Sequence, residues 1–528
     1  MPRTRSDFPT IWIGVLMVVA VCIRLFFWMY THRTWEDALI TVLHSENAAS
    51  GLGLTHVRVG EPRIHGFTSP LSVLVPMVGD LIHVGLGLTL IKLVSALISA
   101  FSVVFGALVA HLLRLSKPFI VLVAGYLAFE HHQILWGMAG METEIVVAII
   151  LFSIWRLLRP APVPTGIALG LCTYARTDLA IWVLIALLYL FHEAVRTKSY
   201  KPLAMTAAIT ALLYLPWLLF TTLYYGSPIP NTILAKSAGY PLWIRDHHGI
   251  WAFIGAAKHV FFEILAPLGP TFASNGTGFL RFPGAKSCEA LMIVFLVAGL
   301  ISASVKHDLP AILIFSFVAA YSAYYTFLVP YVFGWYCVPL AAITIIACAY
   351  GMNTFFTLFP PRWRLPAATT LTALLLAPFA VVLPQTFRGE RNIQVYVEDG
   401  VRKQIGLYFH DVAGADDTIG CEPLGYIAYY SRRSVYDYPG LCSRRVMQFL
   451  RDHPAERSLD RMLAHFRPTY IVLRTLESKA YFGQPRNAWM LNDYTQIRHF
   501  QVSPDKISLL LHPEKNIDLD FIILKRNL

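Results

Sequence analysis

The residues best suited to chemistry sit at the ends of apolar runs. Trp35-Glu36-Asp37-Ala38-Leu39-Ile40 places two adjacent carboxylates just after an apolar run at 11–30. Acids at the edge of a membrane span are costly when even partly buried. Such a carboxylate can act as general base on a hydroxyl or hold a cation. The competing assignment is a helix first turn, where Asp and Glu favour the dipole. The same loop continues through Glu46-Asn47 and Gly51-Leu52-Gly53 to His65-Gly66-Phe67-Thr68-Ser69-Pro70. His65 and Thr68 can face a polar ligand, or only cap and turn a helix starting at Ser69-Pro70. Glu142, in Gly140-Met141-Glu142-Thr143, opens another apolar run and is a functional candidate by its depth. Arg176-Thr177-Asp178 breaks two apolar runs. It is either a self-satisfied pair or a guanidinium for a phosphate at the membrane surface. Tyr225-Gly226-Ser227-Pro228-Ile229-Pro230-Asn231-Thr232 leads to Lys236, which can meet a lipid phosphate as a point charge or serve as an ordinary interfacial lysine. Asn275-Gly276-Thr277 matches the common glycosylation triplet. Phosphate loops, Cys-x-x-Cys pairs and Gly-x-Ser-x-Gly elbows do not occur, which argues against an ATP-driven pump, a zinc enzyme or a serine hydrolase.

The elements that must position these residues are membrane helices. The chain has 528 residues, 56% hydrophobic and 14% charged, with mean hydropathy +0.55. A soluble domain carries roughly a quarter charged residues, so a purely soluble globule, a disordered chain and a disulfide-dense module are excluded. Runs able to cross ~30 Å of hydrocarbon lie near 11–30, 88–113, 118–137, 141–158, 178–195, 203–222, 288–305, 310–329, 335–355 and 366–386, and a shorter one at 165–175 makes an eleventh. Residues 70–84 predict an amphipathic helix on the membrane surface. The net charge is +11. With the N-terminus cytoplasmic, Lys and Arg concentrate in the inner loops, and eleven spans leave both the 31–87 loop and the tail outside the cytoplasm. With ten, the tail changes sides.

About half of the charges fall in 387–528, so the chain divides into a membrane part, 1–386, and a soluble tail, 387–528. In the tail 417–421, 434–438, 469–473 and 521–524 predict short strands and 443–451 a helix, giving a small α/β domain. Cys421 and Cys442 are its two cysteines. A disulfide and two buried thiols are both open there.

Several of these segments, taken in order over about 30–240, resemble integral-membrane GT-C glycosyltransferases, and most of all the bacterial branch that includes the mycobacterial terminal β-(1→2)-arabinofuranosyltransferase. Glu36-Asp37 stands where that branch has an Asp pair, and Asn47 with Gly51-Leu52-Gly53 matches its glycine turn. Gly66-Phe67-Thr68-Ser69, Gly140-Met141-Glu142-Thr143, Arg176-Thr177-Asp178 and Tyr225–Lys236 match its later motifs. The resemblance implies a mainly α, polytopic bundle of about eleven transmembrane helices (1–386, first outer loop 31–87) with an extracytoplasmic α/β domain (387–528). It implies transfer of a hexosyl or pentosyl group from a polyprenyl-phosphate-linked sugar to a cell-envelope glycan, lipid or protein acceptor, with inversion. The enzyme would be multi-pass in the inner membrane among membrane lipids. The resemblance implies no cofactor and no nucleic acid, assigns no metal ligand, and leaves a divalent metal open. Asp37 takes the role of catalytic base beside Glu36. On the same resemblance, Arg176 and Lys236 would bind the donor phosphate, and His65, Thr68, Glu142 and Asn231 would contact substrate. A lipid-linked glycan ligase or polymerase, and a glycolipid transporter or flippase, are the alternatives.

Overall fold

The computed structural model describes residues 8–56, 62–239, 249–251, 254–255, 285–329, 332–511, 513 and 516–527. Asn275 and its triplet lie outside them. The order begins α1 (Thr10–Thr31), α2 (Glu36–Ala49), α3 (Leu71–Ile82), α4 (Gly87–Leu112), α5 (Lys117–Phe129), α6 (His131–Met138), α7 (Thr143–Leu157), α8 (Pro162–Ala175), α9 (Ala180–Thr197), α10 (Lys201–Tyr225) and α11 (Asn231–Gly239). Helices follow at Ala285–Val305, Leu309–Phe327 and Gly334–Phe356, and then a helical run covers Pro361–Val412.

Among the described residues seven helical segments are long and apolar enough to cross a membrane, and α5 with α6, bent by 42°, makes an eighth. The other expected runs also form helices, two of them short. α7 has 15 residues and α8 has 14, less than the ~20 an upright span needs. Gly334–Phe356 is the axis of the bundle. Almost all of it is buried, and its Gly, Ala, Thr and Cys residues let neighbouring helices approach closely. Arg24, inside α1, is satisfied internally. Its guanidinium is 2.9 Å from Glu144, which also accepts a 2.7 Å bond from Ser102.

α3 covers the expected amphipathic segment. Its exposed side is apolar, with Val78, Leu81 and Ile82. Asp80 is buried. It accepts from Ser45 and from the backbone of Gly85 and Gly87, which ties α3 to α2 and to the following turn.

The tail carries a five-stranded sheet in the order β2-β1-β3-β5-β4, with β1 Thr418–Cys421, β2 Ser434–Asp437, β3 Tyr470–Arg474, β4 Tyr494–Gln501 and β5 Asp520–Arg526. β1 pairs in parallel with β2 and β3, whereas β5 is antiparallel to β3 and β4. β3 is buried throughout. Cys421 and Cys442 are both buried free thiols.

The tail does not hang free. The 361–412 run passes without a break through the compositional boundary at 386, and its 393–402 stretch is wound with the wider i→i+5 bonding. That stretch turns Gln394, Glu398 and Arg402 toward the segment between α1 and α2. Arg33 bonds Glu390 at 2.8 Å and Glu398 at 3.0 Å. The first loop and the tail domain therefore sit at the same end of the bundle.

Candidate active site

The start of α2 is held from four sides. Lys92 donates to the Arg33 carbonyl at 2.6 Å and to Thr34 Oγ1 at 2.8 Å. Gln394 accepts from the Thr34 amide at 3.0 Å, and Tyr426 donates to the Thr34 carbonyl at 3.0 Å. The Trp35 amide donates to the Ala139 carbonyl at 2.8 Å. The Trp35 ring packs edge-on against Trp136 and Trp335. Glu36 and Asp37 then occupy the first turn of α2, where the helix dipole favours them.

The two acids part company there. Glu36 turns toward the tail, pairing with Arg402 and accepting the Gly425 amide at 2.9 Å. Gly425 is required at this contact, because a Cβ would run into the backbone and side chain of Glu36. The Asp37 carboxylate accepts no hydrogen bond among the described residues, and it faces a cleft. Burial pushes it above the ordinary carboxylate range. The Lys236 ammonium pulls it back and Glu422 adds to the rise.

That cleft encloses about 560 Å³ of non-atom space, part of it open to solvent. Asp37, Thr68, Glu142, Arg176 and Lys236 all line it, with Trp335, Tyr336 and Leu441. Gly140, at φ +92°, turns the chain just ahead of Glu142, and a Cβ there would press on Leu88 and Ala38. Arg176 forks onto Asp178 at 3.0 and 2.8 Å through Nε and Nη2, and Tyr325 donates to the same carboxylate at 2.8 Å. Tyr336 joins the two cations. Lys236 Nζ donates to its hydroxyl at 2.6 Å, and the Arg176 guanidinium lies 4.6 Å from its ring centre.

Two further clefts open from this one. The first is bounded by Thr68, Arg176, Lys236 and Tyr336, and then by Tyr324, Leu328 and Val329. It runs from the cations onto apolar side chains. The second shares Asp37, Ile40, Trp335 and Leu441 and passes between the tail domain and the bundle, with about 920 Å³ of space.

His65 and Asn231 do not line the central cleft. The His65 ring stacks on Tyr225 at 4.8 Å and meets Phe67 edge-on. Burial pushes its imidazole down to about 3, so it is neutral at working pH. Asn231 is a clamp, donating to the Gly440 and Leu441 carbonyls at 2.7 and 3.0 Å. Asp437 accepts from the Leu441 and Cys442 amides on the other side of that turn. Together they set Leu441 into the wall of the cleft.

Sequence reasoning missed Tyr336, Trp335, Leu441 and Arg402. The aromatic cluster Phe333-Gly334-Trp335-Tyr336, at the mouth of a span, was the available signal for the first two. Nothing local marks Leu441 or Arg402, which reach the site only through the tail's docking. Glu130, His131 and His132 bring metal-ligating atoms within 4.8 Å of one another at the α5–α6 bend. Glu130 already caps α6 there, accepting from the Gln133 amide at 2.8 Å.

The fold is GT-C-like, as its likeness to solved structures shows. Among solved structures, the chain is similar to ArnT from Cupriavidus metallidurans bound to undecaprenyl phosphate, with TM-score 0.53, 12% identity and 98% of each chain covered. It is also similar to the archaeal oligosaccharyltransferase AglB from Archaeoglobus fulgidus in complex with an inhibitory peptide and a dolichol-phosphate, with TM-score 0.53, 13% identity, 95% of this chain covered and 74% of that one. Residues 390–514 match a family described as a domain of unknown function (DUF8728). No curated protein matches the chain.

Proposed function

We propose that the protein transfers a sugar, hexosyl or pentosyl, from a polyprenyl-monophosphate donor to a cell-envelope acceptor on the extracytoplasmic side of the inner membrane. One observation carries the reading. A carboxylate with no hydrogen-bond partner among the described residues and two cations, brought from positions 37, 176 and 236, meet in a single cleft that continues onto an apolar groove. A lipid tail fits the groove, its phosphate fits Arg176 and Lys236, and its sugar then lies beside Asp37.

The chemistry balances on these groups. Asp37 takes the proton of the acceptor hydroxyl as that oxygen bonds to the anomeric carbon. The bond from that carbon to the phosphate oxygen breaks, and the electron pair leaves with the lipid phosphate. Arg176 and Lys236 stabilise the charge growing there, in a site already organised for it. One direct displacement inverts the anomeric centre. Thr68 and Glu142, on the same wall, are placed to hold sugar hydroxyls.

The described cations of this wall are Arg176 and Lys236, and Arg176 already neutralises Asp178. That charge suits a monophosphate better than the diphosphate a glycan ligase would use. The test is thermal stabilisation of the purified protein by a polyprenyl monophosphate, which scales as RT ln(1 + [L]/Kd). Stabilisation that is lost in Arg176→Ala and Lys236→Ala is expected. Equal stabilisation in both variants would remove them from the phosphate site.

A further inference from the structure

The second cleft, between the tail domain and the bundle, has a composition that selects among acceptors. Its aromatic walls are Trp35, Trp335 and Tyr438, and its polar groups include Glu36, Glu422, Asn516 and Asp518. Flat apolar rings beside planar carboxylate and amide groups suit the C–H faces and paired hydroxyls of a sugar ring.

The charges argue in the same direction. Three guanidiniums line the cleft, Arg33, Arg402 and Arg474, and all are engaged. Arg474 is bonded through all three nitrogens, to Asp518 at 2.6 Å, Glu477 at 2.7 Å and Glu422 at 2.5 Å. Arg402 pairs with Glu398 at 2.9 Å and with Glu36. Arg33 pairs with Glu390 and Glu398. An anionic acceptor would have to displace carboxylates that are already in place. A neutral hydroxyl can instead share their remaining lone pairs. It can also accept from Arg402 Nε, a buried donor with no hydrogen-bond partner among the described residues. The Arg474 and Arg402 guanidiniums outweigh the burial of Asp518 and hold its carboxyl below its usual range, so Asp518 stays ionised.

We infer that this cleft is the acceptor channel and that the acceptor is an uncharged polyhydroxyl chain, a neutral glycan, whose terminal hydroxyl reaches Asp37 where the two clefts meet. This rests on the function proposed above and names its second substrate. Asp37 is common to both clefts, so a chain entering from the tail side meets a sugar presented from the lipid side.

The experiment measures binding of each substrate separately, on the full-length protein in nanodiscs. The acceptor probes are neutral arabino-, manno- and malto-oligosaccharides, their uronate-containing counterparts, and short peptides, read by saturation-transfer NMR and titration. The donor probe is a polyprenyl monophosphate, read by thermal shift. Two variants act on the cleft. Ile517→Trp adds bulk at an exposed lining position. Glu422→Gln removes one carboxylate while leaving an oxygen for Arg474. Saturable binding of at least one neutral oligosaccharide is expected, weakened about tenfold or more by each variant, with donor stabilisation unchanged. Preference for uronate chains or peptides would overturn the inference, as would neutral binding that neither variant alters, or no oligosaccharide binding at all. In each of these cases donor stabilisation would still stand, so failure here is distinct from failure of the donor assignment.

Discussion

Glu36 and Asp37 are adjacent, share a charge and a helix turn, and should nonetheless fail in opposite ways. Glu36→Gln keeps an oxygen for the Gly425 amide but loses the ion pair to Arg402. Arg402 is nearly inaccessible, while Glu36 is about one-fifth exposed. A hydrogen bond to a charged group is worth about 1.5–3 kcal/mol. Glu398 still compensates Arg402, so the loss should fall toward the lower end of that range. The melting temperature should drop by several degrees while the chemistry survives at reduced rate. Asp37→Asn removes a carboxylate that has no hydrogen-bond partner among the described residues and that burial already disfavours. Its melting temperature should hold or rise slightly, while turnover falls about 10²–10⁴-fold. Thermal unfolding followed by tryptophan fluorescence, with single-turnover transfer on the same preparations, separates the two. A Glu36→Gln variant with native melting and abolished turnover would move the base to Glu36. An Asp37→Asn variant that melts early yet turns over normally would reduce Asp37 to a helix cap.

The charges around Asp37 also predict a pH dependence. Lys236 lowers its pKa, so Lys236→Met should move the acid limb of the kcat/KM profile to higher pH, while Glu422→Gln should move it lower. An unmoved limb in both would mean that another group is the base. Tyr336→Phe deletes the 2.6 Å acceptor of Lys236 but keeps the ring under Arg176. It should weaken donor affinity about tenfold with little effect on melting, as measured by titration with polyprenyl phosphate. Arg176→Lys should also weaken donor binding, because one ammonium cannot fork onto Asp178 and reach a phosphate. Asn231→Ala frees the 440–441 turn, and should raise proteolysis there more than it slows the chemistry.

Much of this was legible in the residues. Membrane spans announce themselves by apolar length, and α1, α4, α9 and α10 fall close to where hydropathy puts them. The buried strands β1, β3 and β5 were found for the same reason. β4 was not. It is an exposed edge strand, Tyr494–Gln501, whose Gln, Arg and His residues give no apolar alternation. Asp37, Glu142, Arg176, Lys236 and Thr68 were each marked by a polar group at the end of an apolar run, and the cleft gathers all five. His65 and Asn231 carried the same local signal, but one packs among aromatics and the other clamps a turn. Local sequence cannot say which way a loop side chain faces. The role of Glu36 was hidden for a different reason. Its partners, Arg402 and Gly425, lie more than 360 residues away and reach it only once the tail has docked.

The most direct test of the central claim is transfer itself. The purified full-length protein is given polyprenyl-monophosphate-linked sugars with a neutral oligosaccharide acceptor, and the product is analysed by NMR for the configuration at the new anomeric centre. The account predicts transfer from a monophosphate donor with inversion, lost in Asp37→Asn while that variant still binds the lipid phosphate. Consumption of a diphosphate-linked donor with every monophosphate donor left untouched, or a product of retained configuration, would contradict it.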